Sequence, residues 1–202
     1  MADGSHGEIG IRPARANDID VMLPMVDEAS GGVWPLAWRR RARPGESDEA
    51  AGRRMLADPG NALSIANGLI AECDGRAVGM MIGWPETAPR SAEPPSPPHE
   101  LDAVLAPFAA LIDHDSWFVS ELCVDPALRG AGLGSRFLAI ARERARAHGR
   151  PRVSLKAFEE NEGAVRLYRR TGFVVADRAA VVPHADLRFG GDVLLMAWSP
   201  ED

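Results

Sequence analysis

No stretch of this sequence stays apolar over the roughly 20 residues that a membrane-spanning helix requires. Residues 1–8 are polar and lack the apolar core of a signal peptide. We therefore expect a cytoplasmic protein that has no membrane partner.

Cysteine is scarce, and the histidines are scattered. The two cysteines, Cys73 and Cys123, are too few for a disulfide framework in a chain of 202 residues. Each lies in a strand-like apolar segment, which predicts two buried thiols. The five histidines have no metal-ligand spacing, so we predict no metal site. The chain also lacks G-x-S-x-G, the commonest serine-nucleophile pattern.

Positive charge is in deficit, since 23 lysines and arginines accompany 29 aspartates and glutamates, for a net charge of −6. A nucleic-acid groove requires clustered excess positive charge, so nucleic acid is not an expected partner. Lysine occurs once, at Lys156, and tyrosine occurs once, at Tyr168. Because nearly all cationic side chains are arginines, any single arginine is a weak functional signal.

The overall composition fits one globular domain over residues 1–202. Hydrophobic residues make up 46% of the chain and charged residues 26%, which is typical of soluble globular proteins. Strand-like and helix-like segments follow one another in the order strand, helices, hairpin, strand, helix, strand, helix and a final strand pair. This order predicts a domain that contains both helices and strands, and we assign it to the α/β (α+β) class.

Local signals predict where several elements begin and end. Ser47 precedes a short helical pattern as an N-cap, and Pro24 is expected to shorten or kink an earlier helix. The Asp-Gly dipeptide at positions 74–75 is typical of a tight type I′ turn. The apolar segments 63–73 and 78–84 on either side of it should therefore pair as antiparallel strands.

A glycine-rich turn between a strand and a helix carries the strongest chemical signal. Its residues are Arg129, Gly130, Ala131, Gly132, Leu133, Gly134 and Ser135. Glycines let backbone N–H groups converge on phosphate oxygens, and the N-terminus of the following helix adds about half a unit of positive charge. The spacing fits neither the dinucleotide fingerprint nor a Walker turn. The pattern therefore predicts an anion cradle.

Two linked motifs resemble those of the GNAT superfamily of N-acetyltransferases. The family motif runs strand, R/Q-x-x-G-x-G/A, helix, strand, and then N-x-x-A-x-x-L-Y-x-x-x-G-F. Its first part is matched by Arg129, Gly132 and Gly134, and its second part by Asn161, Ala164, Leu167, Tyr168, Gly172 and Phe173. The match is specific over residues 117–174 and looser over residues 9–84. It leaves the roles of residues 31–59 and 85–116 open.

The resemblance implies a GNAT-like fold, in which helices flank a central mixed, mostly antiparallel twisted sheet. It also implies acetyl-CoA as co-substrate, with its pyrophosphate held by the turn at 129–135. The strand before the turn would splay from the next one, and backbone groups of Leu122, Cys123 and Val124 would bind the pantetheine arm in the gap. Asn161 would contact the cofactor. An N–H near Cys123 or Val124 would polarise the thioester carbonyl.

Acyl transfer to an amine requires a base for the ammonium and an acid for the departing thiolate. Glu121, which directly precedes the expected pantetheine stretch, is the first candidate base, and His184 in the last interstrand loop is its rival. Tyr168 lies where the family carries a tyrosine that can protonate the sulfur. Two functions stay open at this point. The first is an N-acetyltransferase for a small-molecule or peptide primary amine, by direct attack, and the second is a non-catalytic acyl-CoA-binding regulatory module.

Residues 85–116 form a proline-rich excursion followed by an apolar helical stripe at 101–112. Such a stripe is too hydrophobic to remain in water. We expect it to cover the acceptor side as a lid, where Trp34 and Trp38 should also lie, or to contact a second copy of the chain in a homodimer.

Overall fold

The protein is described here by a computed structural model that covers residues 8–87 and 97–200. Within this part of the chain, one seven-stranded sheet has the order β1-β2-β3-β4-β5-β7-β6. The strands are β1 (Gly10–Pro13), β2 (Gly68–Cys73), β3 (Arg76–Pro85), β4 (Ser116–Val124), β5 (Arg152–Phe158), β6 (Val174–Ala180) and β7 (Asp192–Trp198). The helices are α1 (Ile19–Ser30), α2 (Val33–Arg41), α3 (Asp48–Ala57), α4 (Asp102–Ala110), α5 (Leu133–Ala147) and α6 (Glu162–Arg170). The predicted mixed sheet flanked by helices is confirmed.

The centre of the sheet is splayed. All neighbouring strands pair antiparallel except β4 and β5, which are parallel because the helical crossover through α5 joins them. Their pairing covers only Ser116 to Val119 on β4 and Arg152 to Leu155 on β5. Both strands continue beyond it, to Val124 and to Phe158. The gap predicted between these two strands is therefore present.

The hairpin between β2 and β3 turns at the predicted dipeptide. Asp74 and Gly75 have φ angles of 51° and 76°, the positive values that a type I′ turn requires at both central residues. The expected start of the first strand at residue 63 is wrong, because β2 begins at Gly68. A short 3₁₀ turn precedes it, and the hydroxyl of Ser64 caps that turn by accepting the N–H of Ala66 at 3.3 Å.

Helix capping follows the sequence closely, and one proline does not behave as expected. Ser47 accepts the N–H of Ala50 at the start of α3, and Asn161 accepts that of Ala164 at the start of α6. The expected shortening of α1 at Pro24 is wrong, since the helix continues to Ser30. Residues on both sides of Pro24 are buried in the core, so tertiary packing offsets the hydrogen bond that proline removes.

Two apolar layers hold the sheet. One layer buries α5 and α6 against it around Phe137, Leu138 and Phe173, and the other buries α1 and α3 around Met22 and Leu56. Successive residues of β3 alternate between the layers, as the period of two in a strand requires. The splayed gap is therefore reached from one face by α6 and from the other by α1 and α2.

The thiols differ from the prediction in one respect. Cys123 is buried as expected, whereas Cys73 is only half-buried because it ends β2 beside the hairpin turn. The described residues form no disulfide bond. Among residues 8–87 and 97–200, the structure has no helix of the length and hydropathy needed to cross a membrane.

Candidate active site

A cavity of about 1310 Å³ occupies the gap between β4 and β5. Its lining begins at the glycine turn after β4 and reaches α2 and α4 at the other end. The turn at 129–135, the free edge of β4 and the helix α6 lie around one end. Side chains of α2, α4, β3 and β5 surround the other end, which we call the acceptor half.

The glycine turn presents bare backbone to this cavity. Gly130 and Gly132 have φ angles of 85° and 86°, a region that favours glycine, and no atom lies within 4 Å of where a Cβ would stand on either. The helix α5 begins at Leu133, inside the glycine-rich segment 129–135. The amides of Leu133, Gly134 and Ser135 are thus in its first turn, where no intrahelical acceptor exists. These groups are available to an anion, as the predicted anion cradle requires.

Two residues of the turn differ from their predicted roles. A Cβ on Gly134 would lie 2.8 Å from Cδ2 of Leu167, so the missing side chain at this position lets α5 approach α6 closely. Ala131 does not line the cavity, and its N–H donates to the carbonyl of Leu128. The other predicted residues of the turn, Arg129, Gly130, Gly132, Leu133, Gly134 and Ser135, all line it.

Arg129 closes the turn against α1. Its guanidinium lies 3.2 Å from the carboxylate of Glu28 and 3.3 Å from the carbonyl oxygen of Val124. More than half of each charged side chain is exposed, so the ion pair is weak and open to competition from an anion.

The edge of β4 that faces the gap has no strand partner. Leu122, Cys123 and Val124 pair with β3 on one side and line the cavity on the other. The burial of Cys123 raises the pKa of its thiol to about 11, so this thiol stays protonated near neutral pH. The backbone groups of this edge are the predicted binding groups for an extended arm.

A register shift at Ser120 determines where Glu121 points. Ile82 pairs with Glu121 while the next residue of β3, Gly83, pairs with Val119, so Ser120 is an extra residue on β4. Without it, Glu121 would share the face of Val119, which packs in the α5 layer. The bulge turns Glu121 to the opposite face, towards α2.

Glu121 is a buried carboxyl group with one unused oxygen. Only 4% of the residue is exposed. Its Oε1 accepts Nε1–H of Trp34 at 2.5 Å and the hydroxyl of Ser120 at 3.1 Å. Oε2 is buried and has no hydrogen-bond partner among the described residues. Burial raises the pKa of Glu121 to about 8, although the two hydrogen bonds and the charge of Lys156 oppose the shift.

Tyr168 reaches the gap from the other face of the sheet. Its ring is buried in the α5 layer beside Phe173, with the ring centroids 5.9 Å apart. The residue lines the cavity and makes no hydrogen bond to the described residues through its hydroxyl. Burial and the nearby charge of Glu121 raise the pKa of Tyr168, so the phenol stays protonated. It can act as an acid and not as a base at neutral pH.

The remaining predicted residues divide between the cavity and other places. Asn161 lines the cavity, although its side-chain oxygen already caps α6. His184 does not line it, and its Nδ1 accepts the N–H of Asp186 in the last loop. Trp34 lines the cavity as expected, whereas Trp38 is buried against Gly52 in the helical layer. Among the described residues, no group of three or more acidic, histidine or cysteine side chains could hold a metal ion.

One cavity residue, Lys156, was not identified as functional from the sequence. It lies on β5 one residue beyond the last pairing with β4 and lines the cavity. Burial lowers the pKa of its ammonium to about 8, against the attraction of Glu86 and Glu121. The available signal was a lone lysine inside an apolar strand of a chain that otherwise uses arginine.

For the amine acetylation that the family resemblance implies, the pH profile should report Glu121. Because its pKa is raised, the carboxylate form grows as pH rises through about 8, so kcat/KM should rise with a midpoint near that value. Trp34→Phe removes an N–H that stabilises the carboxylate and should move the midpoint to higher pH. Glu121→Gln should remove this midpoint.

The pH midpoint of kcat/KM is measured by steady-state kinetics, with the same amine for the wild type and for each variant. Trp38→Phe is the matched control, since it makes the same ring change on the same helix outside the cavity. A midpoint that is unchanged in both Trp34→Phe and Glu121→Gln would exclude Glu121 as the titrating base.

Comparison with known proteins gives one family. A family model described as the acetyltransferase (GNAT) family matches residues 35–173. An uncharacterized N-acetyltransferase of Methanocaldococcus jannaschii is 42% identical over 55 residues, which make up 27% of this chain and 24% of that protein. The match thus spans about a quarter of that relative's length.

Solved structures share the fold. A structure described as that of an acetyltransferase has a TM-score of 0.63 at 18% identity, over 95% of this chain and 100% of that one. The NatC complex bound to Gag peptide and CoA has a TM-score of 0.60 at 14% identity, over 96% of this chain and 99% of the matched chain. The implied GNAT-like fold is confirmed.

Proposed function

We propose that this chain, which belongs to the acetyltransferase (GNAT) family, transfers an acetyl group from acetyl-CoA to a primary amine by direct attack of the amine on the thioester. The observation that carries the proposal is the buried carboxyl group of Glu121, whose Oε2 is unused at the splayed gap that begins beside the glycine cradle. A buried carboxyl group, a glycine turn at the start of a helix and an unpaired strand edge thereby lie around one cavity.

The chain's own groups fit CoA along this cavity. Gly132 to Ser135 line the cavity, and their amides would bind the pyrophosphate. The free edge of β4 at Leu122 to Val124 would hold the pantetheine arm. The NatC structure that shares this fold is bound to CoA, which supports a CoA-type co-substrate here. When bound, acetyl-CoA supplies the activated acyl group.

The proton movements follow from the two faces of the sheet. Glu121, on the α2 face, would accept a proton from the ammonium, and the free amine would then attack the thioester carbon. An N–H near Cys123 or Val124 would stabilise the developing oxyanion. Tyr168, on the α6 face, would donate its proton to the departing thiolate. As the C–N bond forms and the C–S bond breaks, the nitrogen loses its second proton, which would restore the phenol of Tyr168, and no acyl-enzyme is required.

The acceptor half is closed by the excursion. In α4, Val104 packs against Leu36 of α2, and Phe108 packs against Phe158 of β5. Residues 88–96, the central part of the predicted proline-rich segment, lie outside the described residues. The buried part of the apolar stripe thus packs against its own domain, which supports the first of the two expectations. A homodimer, and an acceptor that is a small molecule or a peptide and not a nucleic acid, stay predictions.

Two assays test the proposed function. Isothermal titration with acetyl-CoA should show binding, and thiol release in the presence of a panel of primary amines should exceed spontaneous hydrolysis for at least one amine. Binding without amine-dependent thiol release would favour a non-catalytic acyl-CoA-binding regulatory module. Absence of binding would contradict both functions.

A further inference from the structure

Lys156 is a cation in the acceptor half that the proposed mechanism does not use. Its Nζ lies 5.0 Å from the ring centroid of Phe118 and donates a hydrogen bond to the carbonyl of Phe108 on α4. It forms no salt bridge with a described carboxylate. The carboxylate of Glu86, which also lines the cavity, instead accepts Nε1–H of Trp84 at 3.3 Å.

The ammonium of Lys156 has unused hydrogen-bonding capacity. A lysine ammonium carries three N–H donors, and the carbonyl of Phe108 takes one of them. Burial already makes the charged form costly, and an anion beside it would offset that cost. A carboxylate, with two acceptor oxygens, would fit the remaining donors.

Glu121 faces the same half of the cavity. The two residues lie on neighbouring strands where these separate, and each is close enough to act on the other's pKa. The acceptor half therefore provides a carboxylate for an amine and an ammonium for an acid. A zwitterion is the complement of that pair.

The walls around this charge pair are aromatic. Trp84 and Phe118 form an edge contact with ring centroids 5.3 Å apart. Phe108, Phe158 and Phe189 form a second group, with consecutive centroids 5.4 and 5.3 Å apart. Lys156 lies beside both groups, since its Nζ lies over the ring of Phe118 and donates to the main-chain carbonyl of Phe108. Such a surface selects an apolar or aromatic body of moderate size.

We propose that the acceptor is an α-amino acid with an apolar, preferably aromatic, side chain, and that Lys156 binds its α-carboxylate while Glu121 takes the proton from its α-amine. This proposal rests on the proposed acetyl transfer and names its substrate class. A polyamine fits less well, because it needs several carboxylates. Near this end of the cavity, the carboxylate of Asp102 is already paired with Arg40 at 2.6 Å.

The test uses two acceptors that differ only in the carboxylate, L-phenylalanine and phenethylamine. The wild-type protein should acetylate L-phenylalanine with a kcat/KM about 10-fold higher or more, since hydrogen bonds to charged groups are strong. Lys156→Met, which keeps the length of the side chain, should lower kcat/KM for L-phenylalanine about 10- to 100-fold more than for phenethylamine. Lys156→Arg keeps a cation and should retain part of the preference.

A purely structural role of Lys156, as a tether for α4, would lower both activities equally. Binding gives a second readout that needs no turnover. N-acetyl-L-phenylalanine should bind the CoA-loaded protein, as measured by titration calorimetry, and Lys156→Met should weaken that binding more than it weakens binding of N-acetylphenethylamine.

The outcomes separate this proposal from the function on which it rests. Equal use of the two acceptors by the wild-type protein, or an equal loss in Lys156→Met, overturns the carboxylate site. Rejection of both acceptors while another amine is acetylated overturns the substrate class and leaves acetyl transfer standing. Acetyl-CoA binding without acetylation of any amine overturns the function itself, and the substrate class with it.

Discussion

Substitution of Gly132 by Trp is expected to abolish CoA binding. Gly132 lies at φ 86° directly before α5, and beyond its chain neighbours no atom of the described residues lies within 4 Å of where its Cβ would stand. An indole there would project into the space that the pyrophosphate must enter. Hydrogen bonds to charged groups contribute roughly 1.5–3 kcal/mol each. The loss of two of them should lower the affinity for acetyl-CoA by about 100-fold or more in isothermal titration.

The matched control for this substitution is Gly45→Trp. Gly45 has a φ angle of 79° and nothing within 4 Å of its Cβ position, so Trp meets similar backbone strain there. It does not line the cavity. Thermal unfolding of both variants measures the strain, and only Gly132→Trp should lose the ligand. Wild-type affinity in a folded Gly132→Trp protein would place the phosphate site elsewhere.

Tyr168→Phe is expected to lower kcat about 100- to 10,000-fold, the usual contribution of a positioned acid. The substitution keeps the buried ring against Phe173 and removes only the hydroxyl. Because that hydroxyl has no hydrogen-bond partner among the described residues, its loss should change stability and acetyl-CoA affinity little. Stopped-flow measurement of thiol release gives the turnover rate, and titration with acetyl-CoA gives the affinity.

The control for Tyr168→Phe is Phe173→Leu, which loosens the same packing and leaves the hydroxyl in place. This variant should lose stability, as a smaller side chain in the core does, and should keep most of its turnover. If Phe173→Leu and Tyr168→Phe lose similar turnover, Tyr168 serves packing and another group protonates the thiolate.

The parts of the site that depend on local sequence could be predicted. The cradle follows from glycine spacing at a strand-to-helix junction, and the caps at Ser47 and Asn161 follow from side chains that bond within three residues. The separation of β4 from β5 could be predicted from the family resemblance. In each case the decisive residues lie close together in the chain or carry a recognisable motif.

The face of Glu121 could not be predicted, because strand alternation reverses at an extra residue. The bulge at Ser120 arises from the pairing of β4 with β3, which no pattern within β4 reveals. Its hydrogen-bond partner Trp34 is 87 residues away in sequence. Contacts between residues so far apart in sequence depend on how α2 packs against the sheet.

The roles of Lys156 and Gly134 could not be predicted from the sequence either. The sequence identifies a lone lysine but not that β5 has left β4 at that residue. It identifies a glycine in the turn but not that a Cβ at this position would lie only 2.8 Å from Leu167 of α6. Each role depends on the distance between two elements, and that distance is set by the packing of the whole domain.

The most direct test of acetyl transfer follows an isotopically labelled acetyl group from acetyl-CoA in a single turnover. With an accepted primary amine present, mass spectrometry should find the label in an amide of that amine, and the intact protein should remain unmodified throughout the time course. Label that accumulates as free acetate, or that appears on the protein before it reaches the amine, would contradict direct attack at the gap between β4 and β5.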